Sequence, residues 1–247
     1  MAEKASEWQK LFFKVVAAVV MAATSVVLGK IPEWLAAAKD WWNGKTIAII
    51  GPTASGKNSM FSRLRHQPIP TEHVQTRGAE KVENFNVKWT LAGNESVDFK
   101  CKRAVNIGGE VDERDRYWCQ ACEEADVIFY LLDSAKFTKD EKVTLQRFRE
   151  DMRWLKASLR HFKPTVSIHL LLNKIDLAFG PNLDSDAAEK SMKGLLSIIE
   201  EVAEESLGDD FKRSRVTGVT PISMTDTRLF DTYFSAALSQ IAQLKKA

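Results

Sequence analysis

The stretch Lys45–Ser59, KTIAIIGPTASGKNS, decides the fold of this chain. It begins with a short apolar, β-branched run, KTIAII, which is typical of a buried strand. The loop GPTASGKNS follows, and the next residues, MFSRLR, have a helical pattern. Glycines let backbone N–H groups converge on phosphate oxygens, Lys57 adds a point charge, and the helix N-terminus adds its dipole. The stretch therefore predicts a phosphate-binding loop between a strand and a helix. The candidate binding residues in it are Gly51, Ser55, Gly56, Lys57, Asn58 and Ser59.

One position of this loop departs from the usual pattern. A serine or threonine normally follows the lysine, because its hydroxyl is a ligand of Mg²⁺. This chain has Asn58 there, and Ser59 comes one residue too late to replace the hydroxyl without a change of register. Asn58 is therefore a candidate Mg²⁺ ligand, and we expect the ion to be held weakly.

A second apolar run, VSIHLLLN at residues 166–173, predicts another buried strand, and it leads into Asn173-Lys174-Ile175-Asp176. In a chain with a phosphate loop, this N-K-x-D pattern indicates guanine recognition. A carboxylate at Asp176 accepts hydrogen bonds, and guanine presents N1–H and N2–H₂ as a pair of donors that adenine lacks. Lys174 would lie along the base, and Asn173 would connect this segment to the phosphate loop. The alternative is a strand that simply ends in an Asx turn.

A third segment lies between these motifs. Residues 97–107 read as a strand, and the chain continues as Asn106-Ile107-Gly108-Gly109-Glu110. A charged helix with Trp118 follows, and then the apolar run DVIFYLLDSAKF.

On these motifs the chain resembles the Ras superfamily of small GTPases, nearest to the Arf-like and signal-recognition-particle-receptor-β type. The resemblance extends from about Lys45 to the C-terminus. In that family the third motif is D-x-x-G followed by a catalytic glutamine. Here Asn106 takes the place of the aspartate, Gly109 is kept, and Glu110 takes the place of the glutamine. The resemblance thus implies a G domain with degenerate magnesium-binding and switch-II motifs.

The resemblance also implies roles for residues that the motifs alone do not identify. The switch-I threonine, which serves both catalysis and Mg²⁺ binding, would be Thr76, with Thr71 as the second choice. Glu110 would be the other catalytic residue. The fifth motif would be residues 222–225, where the backbone N–H groups of Ser223 and Met224 would meet guanine O6.

The order of strand and helix signals predicts a doubly wound, mostly parallel six-stranded P-loop G domain of the α/β class. The second and third strands are joined by residues 91–95, which read as a hairpin turn and make that pair antiparallel. The predicted strands are 45–51, 84–91, 97–107, 126–132, 166–173 and 217–223. The predicted helices are 56–65, 112–124, 138–161, 185–206 and 226–245.

Residues 11–29, LFFKVVAAVVMAATSVVLG, carry Lys14 as their only charge. A helix of this length rises about 28 Å, enough to cross the hydrocarbon core of a bilayer. After Pro32, EWLAAAKDWW predicts a short helix whose tryptophans suit a membrane interface. Residues 1–44 are thus expected to be a membrane anchor with a Trp-rich interfacial helix, and 45–247 a GTP-binding domain. The alternative is an apolar helix packed on the domain or in an oligomer. A cleaved signal peptide is rejected, because the nucleotide chemistry belongs in the cytosol.

Composition sets further bounds. The chain of 247 residues is 28% charged and 45% hydrophobic, which is globular, and its formal net charge of +2 gives no electrostatic case for binding nucleic acid. Three cysteines suit a reducing compartment. Cys119 and Cys122 form a lone C-x-x-C without the further ligands that zinc requires, so they are expected to be plain thiols.

The sequence therefore predicts a membrane-tethered switch protein that binds GTP and GDP, with its G domain facing the cytosol. A protein effector or regulator would bind at the switch regions. Mg²⁺ binding and GTP hydrolysis are expected to be weak, because Asn58, Asn106 and Glu110 replace the usual residues. The alternatives are a nucleotide-binding scaffold without turnover and a P-loop kinase, which Asn173–Asp176 argues against. An anchored interaction protein without nucleotide is the third.

Overall fold

The computed structural model describes residues 33–70, 78–90, 96–180, 186–211 and 216–244. The strands are β1 (Thr46–Ile50), β2 (Ala79–Thr90), β3 (Ser96–Ile107), β4 (Val127–Asp133), β5 (Ser167–Asn173) and β6 (Val216–Pro221). The helices are α1 (Glu33–Trp42), α2 (Lys57–Leu64), α3 (residues 111–123, with a π-helical turn at Arg114–Trp118), α4 (Ser134–Lys139), α5 (Glu141–Ser158), α6 (Ile175–Phe179), α7 (Asp186–Leu207) and α8 (Thr227–Leu244).

The six strands form one sheet in the order β2-β3-β1-β4-β5-β6. Only the β2–β3 pair is antiparallel, with Ala79 opposite Ile107 and Thr90 opposite Ser96, and the other neighbouring strands run parallel. The predicted doubly wound, mostly parallel sheet is thus confirmed. In such a sheet, ligands bind outside the carboxyl ends of the strands, where β1, β4 and β5 deliver their loops.

Alternate residues of the central strand enter two separate hydrophobic cores. Ile47 and Ile49 of β1 face the core formed with α1, α2 and α8, whereas Ala48 and Ile50 face the core formed with α3, α5 and α7. Successive side chains of a strand point to opposite faces, so a continuous apolar run signals burial on both sides. This is why the KTIAII run marks the centre of the sheet.

Helix α1 is part of the folded domain. Trp42 is fully buried, its Nε1–H donates a 2.9 Å hydrogen bond to the carbonyl oxygen of Leu238, and its ring packs against Phe99 and Phe129. The helix predicted after Pro32 therefore exists, but an interfacial position is wrong for Trp42. Its ring lies between the sheet and α8. This position gives the indole both apolar contacts and a hydrogen-bond acceptor for its N–H.

Three elements differ from the sequence-based expectations. Strand β2 starts at Ala79, five residues before the predicted residue 84, because its pairing with β3 begins there, opposite Ile107. Its charged residues suit its position at the exposed edge of the sheet. The predicted helix 138–161 is two helices, since Asp140 leaves helical geometry and its carboxylate caps α5 at Val143 N–H. The short helix α6 directly after Asn173-Lys174 was not predicted.

Several expectations concern residues outside the described ranges. They are the apolar segment 11–29, the candidate switch-I residues Thr71 and Thr76, and the hairpin turn at 91–95. No helix within the described ranges combines the length and the apolar character needed to cross a bilayer.

Candidate functional site

The phosphate loop joins β1 to α2 at the carboxyl end of the sheet. Gly51 and Gly56 have φ angles of 138° and 100°, in the region that favours glycine. A Cβ at Gly51 would collide with the carbonyl oxygen of Leu131, and one at Gly56 with the Nδ2 atom of Asn173. The two glycines thus let the loop pack closely on β4 and on the end of β5, as the motif requires.

Lys57 is the first residue of α2 and is almost fully buried. Its Nζ donates hydrogen bonds to the carbonyl oxygens of Gly51 (2.9 Å) and Pro52 (2.8 Å), so the ammonium group is folded over the loop. Burial and, to a lesser degree, the positive charges of Arg147 and Lys136 together lower the pKa of Lys57 to about 7, against the opposing charges of Asp151 and Glu110. The loop therefore holds a cation whose charge is poorly compensated, which is what an incoming phosphate would neutralise.

Asn58 and Asn106, the two residues expected near Mg²⁺, are bonded to each other. The Nδ2 atom of Asn106 donates a 2.9 Å hydrogen bond to Oδ1 of Asn58, while the buried Oδ1 of Asn106 accepts none. Mg²⁺ prefers anionic or hydroxyl oxygen at tight octahedral distances. Neither amide supplies an anionic or hydroxyl oxygen, and Asn58 Oδ1 already accepts the hydrogen bond from Asn106. The described residues therefore do not fit a tightly held Mg²⁺.

The segment with Gly109 and Glu110 lies directly on the phosphate loop. A Cβ added to Gly109 would collide with Thr53 N and approach Lys57 Nζ within 2.6 Å, so only glycine fits here. Thr53 Oγ1 donates a 2.8 Å hydrogen bond to the Glu110 carboxylate. The candidate catalytic position is therefore linked to the loop by a side-chain contact that the sequence pattern did not indicate.

Asn173 connects three parts of the site. Its Nδ2 donates a 2.8 Å hydrogen bond to the carbonyl oxygen of Ser55, and its Oδ1 accepts one from Met224 N–H. The expected connection to the phosphate loop is present, and the segment 222–225 joins it. An amide side chain suits this position because it donates to one loop and accepts from the other.

Asp176 lies in the first turn of α6, and its two carboxylate oxygens differ. Oδ2 accepts a 3.0 Å hydrogen bond from Thr225 Oγ1, whereas Oδ1 is buried and has no hydrogen-bond partner. Lys174, just before it, has a left-handed φ of 65° and forms a 2.7 Å ion pair with Asp133. A buried acceptor without a donor is costly, so Oδ1 is an atom that a ligand donor would satisfy.

The segment of the expected fifth motif, residues 222–225, forms hydrogen bonds through both its side chains and its backbone. Ser223 is buried, and its Oγ accepts a 3.2 Å hydrogen bond from Asp226 N–H. The carbonyl oxygen of Met224 accepts a 3.0 Å bond from Arg63 Nε of α2. Ser223, Met224, Asn173 and Asp176 are thus brought together, whereas Thr76 lies outside the described residues. Ser59 is the third residue of α2, and its position there gives it no role in binding that we can derive.

Sequence reasoning missed a group of charged residues beside the phosphate loop. Asp151 of α5 is fully buried and accepts hydrogen bonds from Arg147 (2.9 Å), Arg114 (2.9 Å) and Tyr130 (2.7 Å). Arg147 Nη2 also donates to the carbonyl oxygen of Gly109 at 3.1 Å. The only signal was the charged run around α5, which reads as a solvated helix face until β4 and the Gly109 segment are placed against it.

Comparison with known proteins supports the fold. No protein-family model matches the chain, and no curated protein matches it. Among solved structures, it is similar to a chain of the "Signal recognition particle receptor SRb-GTP/SRX complex from Chaetomium thermophilum", with a TM-score of 0.51 and 14% identity. The match covers 80% of this chain and 98% of that chain. At this identity the likeness shows the fold alone.

Proposed function

We propose that this protein binds guanine nucleotides as a small-GTPase-like switch. The observation that carries the proposal is the unpartnered, buried Oδ1 of Asp176. It follows Asn173, which is hydrogen-bonded to the phosphate loop, so base and phosphate positions belong to one site. The N1–H and N2–H₂ groups of guanine would satisfy the carboxylate, and adenine offers no such pair of donors.

The nucleotide would be held with little help from Mg²⁺. The hydrogen bond that Asn106 donates to Asn58 supports this, since it occupies the side-chain oxygen of Asn58, which was expected to bind the ion. Glu110, hydrogen-bonded to Thr53, replaces the glutamine that orients the attacking water in small GTPases. We infer a preference for GDP or the nucleotide-free state and slow hydrolysis. A nucleotide-binding scaffold without turnover is the second candidate, and the same two asparagines favour it.

The proposal also includes a membrane anchor and a protein partner. Residues 11–29 are long and apolar enough to anchor the protein in a membrane, with the G domain in the cytosol. A protein effector or regulator would bind at the switch regions, around Gly109 and Thr76. The similar solved structure is described as a complex with SRX, and a protein partner for this chain is inferred by analogy.

Nucleotide binding is tested by titrating the full chain in detergent with fluorescent mant-GDP, mant-GTP and mant-ATP, each with Mg²⁺ and with EDTA. We expect GDP to bind most tightly, ATP to bind far more weakly than GTP, and EDTA to change the affinities little. Equal affinity for ATP and GTP would overturn guanine recognition. Turnover at the activator-stimulated rate of about 5–20 per second would overturn the inferred slow hydrolysis.

Membrane attachment is tested separately by fractionation of the full chain without detergent, with flotation on liposomes. We expect the protein to float with the liposomes and to require detergent for release. Recovery as a soluble monomer would show that the anchor assignment is wrong, without affecting the nucleotide result.

A further inference from the structure

Lys136 lies in α4, three residues after the end of β4, and reaches back to the phosphate loop. Its Nζ donates a 2.9 Å hydrogen bond to the carbonyl oxygen of Thr53. This side chain forms no ion pair with any carboxylate in the described ranges. Its charge is therefore compensated only by a neutral carbonyl, and its ammonium group is available to a stronger acceptor.

The same lysine lines a pocket of about 200 Å³ beside the phosphate loop. Other residues of its wall are Pro52, Thr53, Gly109, Glu110 and Arg147. The pocket lies between the phosphate loop, the segment with Gly109 and Glu110, and helix α5. It adjoins Lys57, since Lys57 Nζ lies next to Gly109.

Charge at this pocket is predominantly positive. Lys136 and Arg147 are both close enough to Lys57 to lower its pKa electrostatically. The carboxylates nearby have other partners: Asp151 binds Arg147 and Arg114, and Asp133 pairs with Lys174. Glu110, in the wall of the pocket, accepts the hydrogen bond of Thr53 Oγ1 and, among the described residues, is the one carboxylate there without a cationic partner. Arg147 is fixed by Asp151 and by the Gly109 carbonyl. Lys136, in contrast, gives up only one neutral hydrogen bond when it moves.

We propose that Lys136 binds the terminal phosphate of a nucleoside triphosphate in this pocket and supplies positive charge that Mg²⁺ supplies in other nucleotide sites. The inference rests on the proposed nucleotide binding and deepens it. On binding, the ammonium group exchanges the Thr53 carbonyl for a phosphate oxygen, and a charge-assisted hydrogen bond replaces a weaker one. A diphosphate lacks the terminal group and gains nothing from this exchange.

The test compares Lys136→Gln with Lys139→Gln in the full chain in detergent. Lys139 is an exposed lysine of the same helix with no role in the site. Affinities for mant-GTP and mant-GDP are measured in EDTA, so that only side chains supply positive charge. We expect Lys136→Gln to weaken GTP binding about tenfold, as for the loss of one charge-assisted hydrogen bond, and to change GDP binding less than about threefold. Lys139→Gln should match the wild type, and Lys136→Arg should retain most of the GTP affinity.

Two results would overturn this role while leaving nucleotide binding intact. One is a GTP affinity of Lys136→Gln equal to that of Lys139→Gln. The other is an equal loss of GTP and GDP affinity, which would mean that Lys136 only supports the loop through Thr53. A wild-type chain that binds neither nucleotide would instead overturn the proposed function itself, and this inference with it.

Discussion

The Nδ2 atom of Asn106 lies 2.9 Å from Oδ1 of Asn58 and donates a hydrogen bond to it. Asn106 is the next-to-last residue of β3 and Asn58 is the second residue of α2. The bond thus joins the two positions at which small GTPases carry the carboxylate and the hydroxyl that hold Mg²⁺. Two neutral amides satisfy each other there in part, and the site loses a formal negative charge. The pair thus links β3 directly to the start of α2, next to the phosphate loop.

The first prediction follows from that hydrogen bond. Restoring both ligand types with Asn58→Ser and Asn106→Asp should make GTP affinity depend on Mg²⁺ by at least about tenfold, or about 1.4 kcal/mol. The wild type should change less than about threefold between Mg²⁺ and EDTA. Mant-GTP titrations of the full chain measure both ratios. A wild-type ratio as large as that of the double variant would contradict the assignment.

The second prediction concerns the base. Asp176→Asn replaces an acceptor by a donor, so it should lower GDP affinity by about tenfold to a hundredfold and raise affinity for xanthosine diphosphate. The matched control is Asp226→Asn, because Asp226 is exposed and caps Leu229 N–H, which asparagine also does. Competition against mant-GDP measures the change. An unchanged base preference in Asp176→Asn would contradict guanine recognition by this residue.

The third prediction concerns Trp42, which the sequence assigned to an interface and the structure assigns to the core. Trp42→Ala should lower the free energy of unfolding by about 3–5 kcal/mol, because it removes a fully buried ring. Trp42→Phe should cost less, since it keeps an aromatic ring and loses only part of the buried ring volume together with the hydrogen bond to Leu238. Asp40→Ala, on the exposed side of α1, is the control and should have little effect.

The same packing predicts how truncation behaves. A chain that starts at Glu33 keeps α1 and should unfold cooperatively, whereas one that starts at Lys45 lacks Trp42 and should be less stable by a similar amount. Chemical denaturation followed by circular dichroism measures both. Equal stability of the two truncated chains would mean that α1 does not belong to the folding unit.

The sheet was predictable because its central strands are buried on both faces and read as continuous apolar runs, as in KTIAII. The site was predictable where backbone geometry demands glycine, as at Gly51 and Gly56, and where a side-chain amide must both donate and accept, as at Asn173. The prediction of an interfacial position was wrong for Trp42, because a tryptophan next to an apolar segment suits a membrane interface and a protein core equally well. Lys136, Arg147 and Asp151 could not be found from sequence, since only the tertiary structure brings α4 and α5 beside the phosphate loop.

The fourth prediction uses a buried histidine. His169 of β5 is fully buried, with its ring nitrogens 2.9 and 2.8 Å from the hydroxyls of Thr217 and Thr220. Burial lowers its pKa to about 3 from an unfolded value of 6.5. The unfolded chain therefore takes up the proton first, and stability should fall by about 1.4 kcal/mol per pH unit between about pH 6.5 and 3. Urea unfolding at several pH values measures the slope of stability with pH. His169→Gln should reduce that slope by the histidine's share, and the exposed control His66→Asn should leave it unchanged.

The last prediction concerns Lys57 and the pH dependence of nucleotide binding. Its pKa is lowered to about 7 by burial and by the charges of Arg147 and Lys136. A bound phosphate is negative and raises this pKa, so above pH 7 the lysine must take up a proton when nucleotide binds. GDP affinity should therefore be nearly constant below pH 7 and should fall as pH rises, by up to about tenfold per unit. Binding at pH 8.5 in two buffers of different ionisation enthalpy, followed by calorimetry, should show proton uptake of close to one per nucleotide. Lys57→Met removes the titrating group and should bind weakly with no such uptake. A wild-type affinity that stays constant from pH 6.5 to 8.5 would mean that Lys57 keeps its proton in the free protein.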